Sequence, residues 1–244
     1  MEVSLNNLLE CGFHRNIVAF DLPIIVLAVP GAGKTSCIRR LLREDSRFEA
    51  WTFGVADHHN CSGRFIRGIT EDSKPTGGDF IIVDEFQRGD WKSFKPFAIL
   101  GDIAQLMLKT NVKFSSAFSK CSSHRVPLPV VKLLQEFDFE IAGERAGLLE
   151  IKSLLGAEPE GVVVCFEREV CDFLDYNQVE HKSPNDIVGL EFPIVSLIIS
   201  GKDIIGRQGA EFYVCCTRAS DKLLIITPNP EDFHKGPNAI DSSS

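Results

Sequence analysis

From Ile24 the chain reads Ile-Ile-Val-Leu-Ala-Val-Pro-Gly-Ala-Gly-Lys-Thr, and a stretch of helix-forming residues follows at once, Ser36 to Arg43. A short apolar strand that runs through a glycine-rich turn straight into a helix has few folds open to it. The strand must lie inside a sheet, and the helix must cross back over that sheet. The same alternation recurs along all 244 residues. Strand-like apolar runs are expected at 24–28, 51–54, 80–84 and 97–101, then at 161–166, 192–199 and 223–227, with helical patterns between them. The fold class implied is α/β, with parallel sheets covered by helices. The segment CSSHRVPLP at 121–129 interrupts the pattern with two prolines and small polar residues, which sets a domain boundary there. The expected division is 1–122, 123–227 and a mobile tail 228–244 that carries three prolines and ends in serines.

The glycine turn also has a chemical reading. In A-x-x-x-x-G-K-T, Gly31 and Gly33 let backbone N–H groups wrap a polyphosphate, and the helix N-terminus beyond them points its positive end at the anion. Lys34 reaches the β- and γ-phosphates, the Thr35 hydroxyl ligates Mg²⁺, and Ala32 and Ser36 complete the cradle. Ala28 stands where such loops usually begin with glycine. A second run, Phe80-Ile-Ile-Val-Asp-Glu, is four apolar residues followed by two carboxylates that no core accepts. Asp84 and Glu85 must therefore sit at the carboxyl end of a buried strand, where ligands bind in such sheets. Asp84 suits Mg²⁺, and Glu85 suits a general base that orients and deprotonates water. A third run ends in Gly-Asp-Ile-Ala-Gln (101–105), which puts Asp102 and Gln105 at the same edge, Gln105 as a γ-phosphate sensor.

Charge is uneven. Residues 1–122 carry 15 Lys and Arg against 14 Asp and Glu, whereas 123–244 carry 11 against 20, for a net charge of −8 overall. That total counts against nucleic-acid binding, but the first half concentrates Arg39, Arg40, Arg43 and Arg47, followed by Arg64 and Arg67. No run approaches the length of a membrane span and the N-terminus shows no signal-peptide pattern, so the eight cysteines are expected to remain thiols in a reducing compartment. His58, His59 and Cys61 lie close together and offer metal ligands without a matching partner motif, which favours a surface loop.

The order GAGKT (31–35), DE (84–85), GDIAQ (101–105), SHRVP (123–127), GLEF (189–192) and YVCCTRAS (213–220) resembles that of superfamily 1 viral RNA helicases. With GFHRN (12–16) and TFGVADHHN (52–60), the chain is most similar to the first triple gene block proteins, the movement proteins of potexvirus- and carlavirus-type plant viruses. That resemblance implies two RecA-like lobes, ATP or another NTP with Mg²⁺, and Arg125 and Arg218 directed at the γ-phosphate as arginine fingers. It also implies that Glu191 contacts ribose and that the loop at Gly189 passes close to nucleotide and RNA. Thr52 and Phe53 would lie in the first RNA-contacting loop, where Phe53 either stacks on a base or packs in the core. Ahead of Gly189 the family usually shows Gln-Thr, where this chain has Asp186-Ile187. Implied partners are single-stranded or viral RNA, other viral movement proteins, virions and further copies of the chain. The implied setting is host cytoplasm and plasmodesmata, with suppression of RNA silencing as a second activity. The competing readings are an RNA- or protein-binding module with a vestigial NTPase site, and a small-molecule kinase or GTPase switch. The last lacks the Asn-Lys-x-Asp guanine-reading motif.

Overall fold

The computed structural model describes residues 2–17, 21–75, 79–102 and 115–233. The chain forms two compact units, Met1–Ser123 and His124–Ser244. In the first, helix α1 (Glu2–Glu10) and strand β1 (His14–Arg15) precede β2 (Ile24–Ala28) and helix α2 (Lys34–Glu44). Strands β3 (Phe48–Thr52), β4 (Arg67–Gly68), β5 (Phe80–Asp84), β6 (Ala98–Gly101) and β7 (Phe118–Lys120) follow. They pair in the order β1-β7-β2-β6-β5-β3-β4, every neighbour parallel except β1 with β7.

The strands are apolar on both faces, as a covered parallel sheet requires. On one face Ile25, Leu27, Ile81, Val83 and Ile99 gather round Trp51, Phe86 and Phe94. On the other, Ile24, Val26, Ile82, Ala98 and Leu100 border a narrow apolar space together with Cys37, Ile38 and Leu41 of α2. Those helix residues recur at three- and four-residue spacing, which gives α2 one buried stripe. Register aligns the strand ends: Asp84 pairs with Thr52 on one side and Leu100 on the other, and Leu27 pairs with Gly101.

In the second unit β8 (Ser122–Pro127), which starts just before the division, pairs with β9 (Ala142–Arg145) in a two-stranded sheet. Helix α3 (Leu128–Glu136) separates them. Strands β10 (Leu148–Ser153), β11 (Val162–Val164), β12 (Phe192–Ile198) and β13 (Ala219–Thr227) form an all-parallel sheet in the order β10-β13-β12-β11. Helices α4 (Arg168–Tyr176), α5 (Pro184–Ile187) and α6 (Gly209–Cys216) connect its strands. Val163, Cys165, Leu174, Ile198, Leu224 and Ile226 make the core cluster on one side. Phe212 and Tyr213 of α6 meet Phe137 and Phe139.

Three expectations are corrected. The stretch 121–129 is a strand followed by a helix, because Pro127 sits at the N-cap of α3 and Pro129 within its first turn, where a missing N–H costs nothing. The stretch expected to be a mobile tail is packed at its start. Pro230–Phe233 form a 3₁₀ turn, Phe233 is buried, and its ring lies 6.4 Å from that of Phe137. The cysteines are not all thiols either: Cys165 and Cys171, with Cα atoms 6.0 Å apart, are disulfide-bonded, and the other six are free.

Gly161 leads into β11 at φ +64, and a Cβ there would lie 2.3 Å from the Ile194 carbonyl oxygen. Gly161→Ala should therefore destabilise the second unit by roughly 2–4 kcal/mol, through left-handed strain and a backbone clash. The measurement is amide-exchange protection, which should fall in β11 and β12 and stay unchanged in β2 and β5.

Candidate functional site

At the carboxyl end of β2 the chain turns through Val29–Gly33 and enters α2 at Lys34. Gly31 and Gly33 take φ of 74° and 93°, conformations that side chains resist. A Cβ on Gly33 would touch nothing within 4 Å, so conformation rather than crowding demands glycine there. Gly33 is the N-cap of α2 and supplies no side chain to cap it, which leaves first-turn N–H groups facing the loop. The buried Lys34 ammonium donates to the carbonyls of Ala28 and Val29, at 3.1 and 3.4 Å. Thr35 is half-buried and Ser36 exposed. The buried Ser123 hydroxyl donates to the Pro30 carbonyl at 2.8 Å and props the loop from behind. Sequence reading passed over Ser123, which the SHRVP motif contains.

Asp84 is 4% exposed at the end of β5, and its carboxylate accepts the Glu85 N–H at 3.0 Å. Burial, and after it the charge of Glu85, push its pKa up to about 7, against the opposing pull of Lys34. Glu85 holds φ of 54° although it carries a side chain, and its carboxylate accepts from Gln87 Nε2 at 2.7 Å. Positive φ on such a residue is strain of the kind that gathers at functional sites. Gly54 makes room for it, since a Cβ there would lie 3.1 Å from Glu85 Cγ. Asp102 is buried one residue beyond β6, and Gln105 lies outside the described residues. The geometry therefore gathers the glycine loop, Lys34, Asp84 and Glu85 along one edge of one sheet. The buried Asp84 carboxylate and the hydroxyl of the half-buried Thr35, next along α2 from Lys34, are oxygen donors of the kind Mg²⁺ takes. The residues fit a Mg²⁺-bound polyphosphate.

The arginines of the second unit are engaged locally. Arg125 Nε lies 2.7 Å from a carboxylate oxygen of Glu191. Arg218 is 2% exposed, with its guanidinium donating to the Val214 carbonyl and the Thr217 hydroxyl at the end of α6. A cation there also meets the negative end of the helix. Asp186 and Ile187 have structural work: Asp186 closes a capping box with Ser183 on α5, and Ile187 is fully buried.

The arginine run near the loop is largely neutralised. Arg39 donates to Asp57, Arg40 pairs with Glu44 and Glu10, and Arg47 pairs with Asp45. Arg39, Arg43, Arg64 and His58 line an open cavity of about 520 Å³. Phe53 packs against the Trp51 core cluster and over Gly89, where a Cβ would lie 2.2 Å from its ring. His58, His59 and Cys61 form no metal-compatible cluster; among the described residues that grouping belongs to Cys165, Cys171 and His181.

Residues 24–227 match the viral superfamily 1 RNA helicase core domain. The movement and silencing protein TGBp1 of Poplar mosaic virus (isolate ATCC Pv275) is 36% identical over 229 residues, which is 94% of this chain and 97% of the relative. Its namesake from Apple stem pitting virus (isolate PA66) is 32% identical over 93% of this chain and 100% of the relative. That of Potato virus X (strain CP) is 30% identical over 90% and 96%. Among solved structures, the PRRSV helicase superposes with a TM-score of 0.57 at 17% identity, covering 84% of this chain and 52% of that one. An arterivirus nonstructural protein 10 helicase solved with DNA gives 0.50 at 16%, covering 87% and 55%. The chain spans about half the length of these solved helicases, and at such identity the likeness concerns the fold.

The placement of Asp84 sets a pH dependence. Its carboxyl titrates higher in the fold than in the unfolded chain, so its stability contribution is full below the ordinary value of 3.8 and is lost as pH rises toward about 7. In chelator, the melting temperature should fall between about pH 4 and about pH 7. Asp84→Asn should flatten that fall and melt higher at the upper end.

Proposed function

Because the chain belongs to the viral superfamily 1 RNA helicases, among the TGBp1 movement and silencing proteins, we propose that it is a Mg²⁺-dependent nucleoside triphosphatase that works on RNA during movement between host cells. The observation that supports the reading most is the shared sheet edge that holds the glycine loop with Lys34 and the Asp84-Glu85 pair. In this reading Gly31, Ala32, Gly33 and Ser36 wrap the phosphates through backbone N–H groups, and Lys34 places its charge on the β- and γ-oxygens. Thr35 and Asp84 hold Mg²⁺, which when bound draws charge from the phosphate oxygens. Glu85 accepts the proton that water loses as the water oxygen closes on the γ-phosphorus and the β–γ bridging oxygen departs with the nucleoside diphosphate. Gln105 senses that phosphate and Glu191 the ribose. Arg125 and Arg218 offset the charge of the transition state, once Arg125 releases Glu191 and Arg218 leaves the end of α6. The partners proposed are viral RNA, other movement proteins, virions and further copies of the chain. The setting proposed is host cytoplasm and plasmodesmata, and silencing suppression is a further activity of the same protein.

A second reading, an RNA- or protein-binding module with an idle NTPase site, draws on the local engagement of Arg125 and Arg218. Phosphate release with and without single-stranded RNA separates the two. Hydrolysis that rises with RNA is expected; a chain that binds RNA without turnover supports the module.

Lys34→Ala should lower turnover at least about tenfold, ~1.4 kcal/mol of barrier, in a protein whose circular dichroism is unchanged. Arg218→Ala should lower kcat by about a hundredfold or more and abolish most RNA stimulation while nucleotide affinity stays near parental. Parental turnover in a folded Arg218→Ala variant would remove the finger assignment.

A further inference from the structure

Outside the phosphate edge, three soft ligands converge in the second unit. One ligand atom each from Cys165, Cys171 and His181 lies within 4.8 Å of the other two. Three separate pieces of backbone bring them there. Cys165 follows β11, and its N–H donates to the Lys182 carbonyl at 3.2 Å. Lys182 returns a bond to Val163 at 3.0 Å, so the chain around His181 runs beside β11 as a parallel bridge with Val164. Cys171 lies in the first turns of α4, where its N–H donates to Glu167 at 2.9 Å. These bonds fix the grouping independently of any link between the sulfurs.

The histidine is oriented as well. Its Nδ1 lies 3.1 Å from the Val179 carbonyl oxygen. A carbonyl only accepts, so a neutral imidazole bonded there has its proton on Nδ1 and its lone pair on Nε2, the arrangement by which metal-binding histidines are held. Cys165 is fully buried, Cys171 half-buried, and the His181 side chain 15% exposed, at the rim of the cluster around Leu174 and Ile198. The low-dielectric wall strengthens ligation while the rim leaves a route for an ion.

We propose that with its sulfurs reduced this group is a binding site for a soft divalent cation, zinc by preference, through two thiolates, one imidazole nitrogen and a water. Borderline-soft zinc accepts two sulfurs, one nitrogen and an open fourth position in tetrahedral geometry. The chemistry balances. Two molecules of a monothiol reductant deliver two electrons and two protons to the Cys165–Cys171 disulfide and leave joined as one disulfide. The two thiols freed lose two protons to solvent when the cation binds. Bound metal then ties β11, α4 and the return segment together in place of the sulfur–sulfur bond.

The test uses the full chain, reduced and stripped of metal, titrated with Co²⁺ as a spectroscopic substitute. The expected result is one cobalt per chain with a thiolate-to-cobalt charge-transfer band, displaced by zinc. The band should vanish in Cys165→Ser/Cys171→Ser, weaken at least about tenfold in affinity in His181→Ala, and be lost from the parent after oxidation of the pair. The last two measurements keep the outcome decisive where the double variant folds poorly. A reduced parent that develops no such band overturns the proposal, as does a band that survives in the double variant or in the oxidised chain. Oxygen ligands at Asp84 and Thr35 give no sulfur band, so a second metal there leaves the reading clear.

Discussion

A carboxylate buried at the end of an apolar strand is tolerable only where positive charge or hydrogen-bond donors meet it, and much of the first unit serves that one condition. Among the described residues, Asp84 has the Glu85 N–H as its backbone donor and the charge of Lys34 acting on it. Lys34 arrives because α2 starts where it does, and α2 starts there because Gly33 takes a left-handed turn without a capping side chain. Parallel register then carries the effect across the sheet, since Asp84 is level with Thr52 and Leu100. The glycines beside it are spacers as much as hinges. Gly101 lets the Phe86 ring approach β6, where a Cβ would lie 2.6 Å from it, and Gly54 does the same for Glu85.

The second unit meets the opposite problem, since its arginines have local partners that any catalytic use must displace. Arg125 and Glu191 form a partly exposed pair, which is cheap to break. Arg218 is different, for its guanidinium is buried and satisfied by a helix end. Any use of that guanidinium elsewhere must first give up those bonds. Likewise Arg39 and Arg40 on α2 meet Asp57, Glu10 and Glu44, and Arg47 just beyond the helix meets Asp45. This explains how a basic run coexists with an acidic chain, and it leaves Arg43 and Arg64 beside the Arg39–Asp57 pair in the lining of the open cavity.

What could be read from the sequence was local. Residues 80–84 were legible as a strand end to end, because apolar residues stop abruptly at two carboxylates. The glycine loop was legible through its flanks. Strand β10 was not: Glu150 and Lys152 alternate with apolar residues at a sheet edge and spend their charges on Lys222 and Glu160, so no apolar run marks it. The α3 start hid behind prolines that looked like breakers. The pairing of Arg125 with Glu191, and the meeting of Cys165 and Cys171 with His181, depend on chain returns that no spacing rule encodes. Phe53 was ambiguous in sequence because a base and a core offer an aromatic ring the same apolar surface; its packing over Gly89 places it in the core cluster's margin.

Helix α1 stands ahead of residues 24–227, the part that matches the helicase core, yet it grips the helix behind the glycine loop. Asn7 donates to Glu44 at 3.1 Å and accepts from the Cys37 thiol at 3.1 Å, while Glu10 pairs with Arg40. Burial pushes the Cys37 thiol up, so it stays protonated and keeps donating. The boundaries of the recognisable core are therefore not the boundaries of the mechanical unit. A fragment cut at Ile24 discards the brace on α2, so where the chain is cut is itself a variable in any measurement made on this sheet edge.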